Sequence, residues 1–213
     1  MKSILIILAV VLTVAAVSSI TDAGWLIYHK PEFRGKVIDA DTKDPIESAV
    51  VVVVYNKHTL ISGPGGGYTS VIKVKETLTD KDGEFHFPSY TTIIQPFSKE
   101  DLAEFIIFKP GYWTFPYHQR IPFGIRPVDE QIFFSMEIGS EGELEVWIKE
   151  EEGPVLGRSK VTFGIVELPK PKTREERLNA KRSADIFGLK ITPKDLPLLY
   201  KRISEENKNL GIE

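Results

Sequence analysis

The sequence predicts a mainly β protein, a Greek-key-type β-sandwich of about seven strands with a C-terminal two-helix extension. Three observations predict it. Short strand-patterned segments alternate with turn residues from Gly35 to Ile165, the pattern of a sandwich rather than a parallel sheet. Ala49 to Tyr55 is an unbroken run containing five successive valines, which lose rotamer freedom in a helix, so a strand covered on both faces is expected. Beyond residue 167 the composition turns proline-rich and then takes up helical spacing.

The first segment reads as an address. Lys2 supplies a positive start, Ile4 to Val17 is apolar except for Thr13, and Thr21-Asp22-Ala23 puts small residues before Gly24. This is the layout of a secretory signal peptide over residues 1–23, with cleavage expected between Ala23 and Gly24. An uncleaved anchor is the alternative; it needs about 17–25 apolar residues, which Ile4 to Ile20 reaches only by counting two serines. Both readings place the remainder outside the cytoplasm, in the periplasm, at the cell surface or beyond.

The body spans residues 24–167. Its expected strands begin with Gly35–Ala40 and Ala49–Tyr55. Val71–Thr79 and Glu84–Phe87 follow, flanking Asp80-Lys81-Asp82-Gly83, and an Asp-Gly pair between such segments signals a hairpin. Phe105–Phe108 ends at Pro110-Gly111. In Gln131–Ile138, residues Ile132, Phe134, Met136 and Ile138 alternate onto one strand face. Leu144, Val146 and Ile148 do the same opposite Glu143, Glu145 and Lys149, and Val161, Phe163 and Ile165 close the series.

Residues 168–213 form the tail. Leu168-Pro169-Lys170-Pro171-Lys172 reads as a semi-rigid linker. Thr173-Arg174-Glu175-Glu176 is a capping-box pattern that opens a helix running to about Ala184. A second helix is expected from near Asp195, with Pro197 tolerated in its first turn and Gly211 stopping it. Its Leu196, Leu199, Ile203 and Leu210 share a face that should dock on the sandwich. Residues 167–213 hold 11 basic and 8 acidic side chains in a chain whose net charge is −3, so the body is the acidic part.

Composition excludes several functions. The absence of cysteine removes disulfides, thiolate metal sites and a cysteine nucleophile. A net charge of −3 without a basic stripe argues against nucleic acid as a partner. No cofactor is expected.

Three separated pieces resemble the carboxypeptidase regulatory-like domain, a transthyretin-like sandwich. They are Gly35 to Val50, with its Asp-Thr-Lys-Asp-Pro-Ile turn; Thr79-Asp80-Lys81-Asp82-Gly83-Glu84-Phe85; and Phe108-Lys109-Pro110-Gly111-Tyr112. The resemblance implies a non-catalytic module of the kind appended to peptidases, receptors and surface proteins. Each matching residue also has a mechanical explanation: Pro45 presets φ, Gly83 takes positive φ, and Phe85 and Phe87 point inward. The Gly-rich stretch Ser62–Tyr68 and the helical tail depart from the simple module.

The chemical motifs are weak. Asp80-x-Asp82-Gly83 lacks the further oxygen ligands of a calcium loop and reads as a turn. Gly63-Pro64-Gly65-Gly66-Gly67 lacks the Lys-Ser/Thr and helix of a phosphate cradle. His29, His58, His86 and His118 stand singly, without metal-ligand spacing, and His86 reads as a solvent-facing strand position between two phenylalanines. Glu141–Glu152 reads as a solvated acidic face. The contact candidate is the proline-stiffened aromatic stretch Pro110–Pro127. It carries Tyr112, Trp113, Phe115, Tyr117, His118 and Arg120, which can offer flat apolar faces to a glycan or peptide. The expectation is a non-enzymatic exported module that binds or scaffolds an envelope protein or glycan. Its alternatives are an envelope enzyme with a site assembled from dispersed Asp, Glu and His, and a carbohydrate-binding accessory module.

Overall fold

A computed structural model describes residues 26–60, 66–116, 123–125, 127–150, 153–184 and 191–212. The N-terminal segment expected to be a signal lies outside the described residues. Eleven strands and three helices occur among them. The strands are β1 (Ile27–Lys30), β2 (Phe33–Asp39), β3 (Val50–Thr59), β4 (Tyr68–Leu78), β5 (Glu84–Phe87), β6 (Tyr90–Ile93), β7 (Ser98–Phe108), β8 (Phe123–Ile125), β9 (Glu141–Glu150), β10 (Gly153–Thr162) and β11 (Ile165–Leu168). The helices are α1 (Pro127–Ser135), α2 (Arg174–Ser183) and α3 (Pro197–Leu210).

Two sheets make the sandwich. The first has the order β4-β3-β7, all antiparallel. The second has the order β11-β2-β5 and is continued by the pair β1-β6. Phe33 faces Phe87 and Lys30 faces Tyr90 at an unchanged offset, so the two ladders are one ribbon. It is interrupted where Pro31 and Pro88 bring no amide donor to the ladder. Between the sheets lie Phe33, Val37, Phe85 and Phe87 from one side and Val51, Val53, Tyr55, Phe105 and Ile107 from the other. Strand β3 is buried on its outer face too. Val50, Val52 and Val54 pack with Phe108, Ala184, Leu196 and Leu199, so the tail is a third layer over the first sheet.

The tail docks by charge as well as by apolar area. Thr173 Oγ1 accepts from the Glu176 amide, and the Glu176 carboxylate accepts from the Lys172 amide, one residue before the expected return bond. Leu196 offers α3 no side-chain cap. Glu76 of β4 supplies one instead, its two oxygens accepting from the Leu198 and Leu199 amides at 2.7 and 2.9 Å. A carboxylate there meets both the orphan donors and the positive end of the helix dipole. Arg177 of α2 forks onto the buried Glu206 of α3 at 2.8 and 2.9 Å. Gly211 ends α3 in the left-handed region.

The sandwich with two C-terminal helices is built, among the described residues, from eleven strands. Several expectations need correction. Gln131–Ile138 is not a strand: Pro127 to Ser135 is helical, and Phe133 and Phe134 are both buried, as adjacent residues on a one-sided strand cannot be. Ile132 and Met136, expected inside, are exposed. The helix is tied down by Lys30, a buried ammonium that donates to Gln131 of α1 and to Glu100 of β7. Val161, Phe163 and Ile165 do not share a strand either. Gly164 takes φ +70° between β10 and β11, and β11 then pairs parallel to β2. Finally, Leu168–Lys172 is no free linker: Leu168 is fully buried and the Pro169 carbonyl accepts from the Trp113 amide.

The Asp80–Gly83 turn joins two sheets, so it is not the expected hairpin. β4 pairs with β3, whereas β5 pairs with β2. Thr79, buried before the turn, donates to the Ile46 carbonyl and accepts from the Ala49 amide, fixing the β2–β3 connection. Asp80 Oδ1 accepts from the Asp82 and Glu84 amides. Gly83 has φ +75°, its carbonyl accepts from the Val37 amide, and a Cβ there would lie 2.5 Å from the Val37 carbonyl oxygen. His86, between buried Phe85 and Phe87, is exposed as expected and meets Glu32. Among the described residues no helix is long and apolar enough to cross a membrane.

Gly83→Val should lower the urea midpoint by the equivalent of about 1–3 kcal/mol, because it combines left-handed strain with a backbone clash. An unchanged midpoint would show that the turn can move off β2 without cost.

Candidate functional site

The strand ends collect at two poles. One pole holds the ends of β2, β4, β7 and β11 and the starts of β3 and β5. Alternation along β2 points Asp39 inward there, in line with Phe33, Gly35 and Val37, and it is 3% exposed. A carboxylate in that position is costly unless its lone pairs are filled. Oδ1 accepts from the Asp41 and Thr42 amides at 2.9 and 3.1 Å. Oδ2 accepts from Lys170 Nζ at 2.6 Å and from the Tyr112 hydroxyl at 2.9 Å. Lys170 Nζ also stands 5.3 Å from the Tyr112 ring centroid. One side chain thus joins the β2–β3 loop, the turn after β7 and the segment leaving β11.

The charges follow from these contacts. The Lys170 ammonium, then the Thr42 and Asp41 amides and finally the Tyr112 hydroxyl hold the Asp39 carboxyl well below the usual carboxylate range, against the effect of burial. Burial and the bond to Asp39 push the Tyr112 hydroxyl up. Lys170 is raised by Asp39.

Above this staple opens a polar cleft of about 420 Å³, lined by Thr42, Ile46, Ser48, Lys109 and Tyr112 together with Asp39, Lys170 and their neighbours. Lys109 Nζ donates to the Glu47 carbonyl at 2.7 Å. Its pKa is lowered, mainly by burial and then by the charge of Arg202, with Glu205 and Glu47 opposing. An ammonium has three protons, so this bond leaves Lys109 with donors for a ligand oxygen at the cleft wall.

The expected aromatic surface divides. Tyr112 lines the cleft. Trp113 is half-buried. Phe115 lies in the core, exchanging backbone hydrogen bonds with Ile107 and meeting the ring of Phe134, so it offers no contact area. The Phe115–Pro116 peptide is cis. Tyr117, His118 and Arg120 lie outside the described residues, as do residues 61–65 of the Gly-rich stretch. Glu143 and Glu145 are exposed on β9, as a solvated face requires. Among the described residues no three His, Asp or Glu side chains are grouped to hold a metal ion.

No family model, curated protein or solved structure matches this chain. The cleft therefore stands on its own geometry. Sequence reasoning missed Asp39, Lys109 and Lys170 as a group. Asp39 and Lys109 both fall inside the quoted motif pieces, and their positions at strand ends were the available signal. Lys170 gave none, because its partner lies far away in the chain.

Asp39→Asn keeps an acceptor for the two amides and loses the charge facing Lys170. A folded-state pKa below the unfolded one gives stability that is present above about pH 4 and drains as pH falls further. The variant should therefore be less stable than the parent at pH 7, and the gap in urea midpoint should narrow as pH drops below about 4. A gap that stays constant down to pH ~2 would show that the Asp39 charge is not coupled to folding.

Proposed function

We propose that this chain is a non-enzymatic, exported binding module of the cell envelope whose ligand end is the cleft over Asp39. The observation that carries the reading is the fixed floor of that cleft. Four hydrogen bonds to one carboxylate hold three chain segments in register. A surface whose loops are already ordered loses less conformational entropy when it binds. The resemblance of residues 35–112 to the carboxypeptidase regulatory-like domain supports a module rather than a catalyst, and the apolar N-terminal segment supports export.

The lining sets the ligand class. Lys109 provides a charged donor, while Thr42 and Ser48 bring hydroxyls and Ile46 a small apolar contact. This suits an oxygen-rich partner, a glycan or the backbone and carboxylates of an envelope protein.

Mild crosslinking of the native envelope followed by capture of the chain tests the reading. Lys109→Ala should reduce capture of the cleft partner about ten-fold, the scale of one charge-assisted hydrogen bond. Its urea midpoint should stay within the equivalent of about 0.5 kcal/mol of the parent. Equal capture by the two proteins would put the ligand elsewhere.

A further inference from the structure

Away from the cleft, three groups of complementary chemistry meet beside the core. Lys30, at the end of β1, is the only buried lysine among the described residues, 2% exposed. Its Nζ lies 2.6 Å from Glu100 Oε1 of β7 and 2.7 Å from Gln131 Oε1 of α1. Gln131 Oε1 also accepts from the Ala103 amide at 3.4 Å. The second Glu100 oxygen accepts from the His29 amide at 3.4 Å. The Tyr28 ring stands alongside, its centroid 5.3 Å from Nζ. One amine thus touches both a carboxamide and a carboxylate, and each of the three groups comes from a different element.

An ion pair alone leaves part of this arrangement unexplained. Burying a charge is costly even when it is paired. Glu100 is 41% exposed and keeps water, whereas Lys30 does not. The cost would end if the amine became part of a neutral group, and the adjacent carboxamide offers the means. An amine held against an amide carbonyl has the proximity that makes a slow exchange between molecules fast within one. Both partners are held: Lys30 is in register with Tyr90, and α1 is anchored by the buried Phe133 and Phe134. The Ala103 amide meets the carbonyl oxygen on which negative charge would develop. With no cysteine in the chain, disulfides cannot tie its segments together.

We propose that Lys30 and Gln131 join in an intramolecular amide bond, with Glu100 as the catalytic acid and base. Glu100 takes a proton from the Lys30 ammonium, and the neutral Nζ adds its electron pair to Gln131 Cδ. The N–C bond forms as charge moves onto Oε1. The Cδ–Nε2 bond then breaks and the carbonyl is restored. Of the three protons on the ammonium, one stays on the new amide nitrogen and two reach Nε2 by way of Glu100. The leaving group departs as ammonium past the exposed side of Glu100, which ends ionised as it began. Nothing is oxidised or reduced. The bond ties β1 to α1 across 101 positions of the chain and lies outside the cleft, so it and the binding reading can fail separately.

The test is mass spectrometry of the full chain, purified folded and followed over several days. The parent should be one ammonia lighter than its sequence requires, and proteolysis should release a branched peptide joining Lys30 to Gln131. Gln131→Met, which lacks the carbonyl, should keep its full mass. Glu100→Gln should form the bond about a hundred-fold more slowly, the scale of general acid–base catalysis. A near-ultraviolet circular dichroism spectrum matching the parent's confirms that each variant is folded; where one does not fold, the parent's mass decides. A folded parent that keeps its full mass, or an ammonia loss that maps to an asparagine, would overturn the proposal. Bond formation at the parent's rate in Glu100→Gln would overturn the role given to that carboxylate.

Discussion

Burial of β3 on both faces is the constraint from which the rest of this architecture follows. Val50 to Val54 are each no more than 1% exposed. Consecutive strand residues point to opposite sides, so no two-layer arrangement can cover all five. Val51 and Val53 call for an opposing sheet, which the β2–β5 ribbon supplies. Val50, Val52 and Val54 call for a second cover, and α3 is the element with an apolar face to provide it. Burying a valine is worth about 1.5–3 kcal/mol, so an uncovered outer face would forfeit a large part of a domain's net stability. The tail is therefore structural, and its polar bonds to Glu76 and between Arg177 and Glu206 set its register on that face.

This explains what could be read from the residues and what could not. The valine run announced two-sided burial by itself, because a half-buried strand alternates. The capping pattern at Thr173 and the stop at Gly211 were legible for the same reason: each is decided within a few residues. The failures concern choices made at a distance. Ile132, Phe134, Met136 and Ile138 alternate convincingly, yet the bond from Lys30 to Gln131 and the pocket for two adjacent phenylalanines favour a helix. Asp82-Gly83 specifies a tight reversal but not its neighbours, and here the chain turns from one sheet into the other. The cleft was legible only in fragments, since the Asp39 carboxylate is satisfied by residues from three separate segments.

The same separation distinguishes the two poles. At the cleft pole the β2–β3 loop, the turn after β7 and the exit of β11 are cross-linked by polar bonds that an apolar ligand could not improve. At the other pole the rungs end in exposed isoleucines and rings, with Asp101 accepting from Thr69 beside them. A sandwich that presented apolar surface at both ends would invite end-to-end association. Here the polar pole offers no apolar surface to match the other one.

Asp39 and Lys109 contribute differently, although they line one cleft. Asp39 has all its bonds inside the protein, and altering it loosens the loops as well as any ligand contact. Among the described residues Lys109 shows one side-chain bond, to the Glu47 carbonyl of an exposed residue, and the carbonyl can turn to water when the ammonium is removed. Partial burial lowers the pKa of Lys109, which shows that desolvation already disfavours its charge. A ligand oxygen placed against it would recover part of that lost solvation. The side chain that gives least to the fold is thus the one with most to gain from a ligand, and binding strength at the cleft should depend on it.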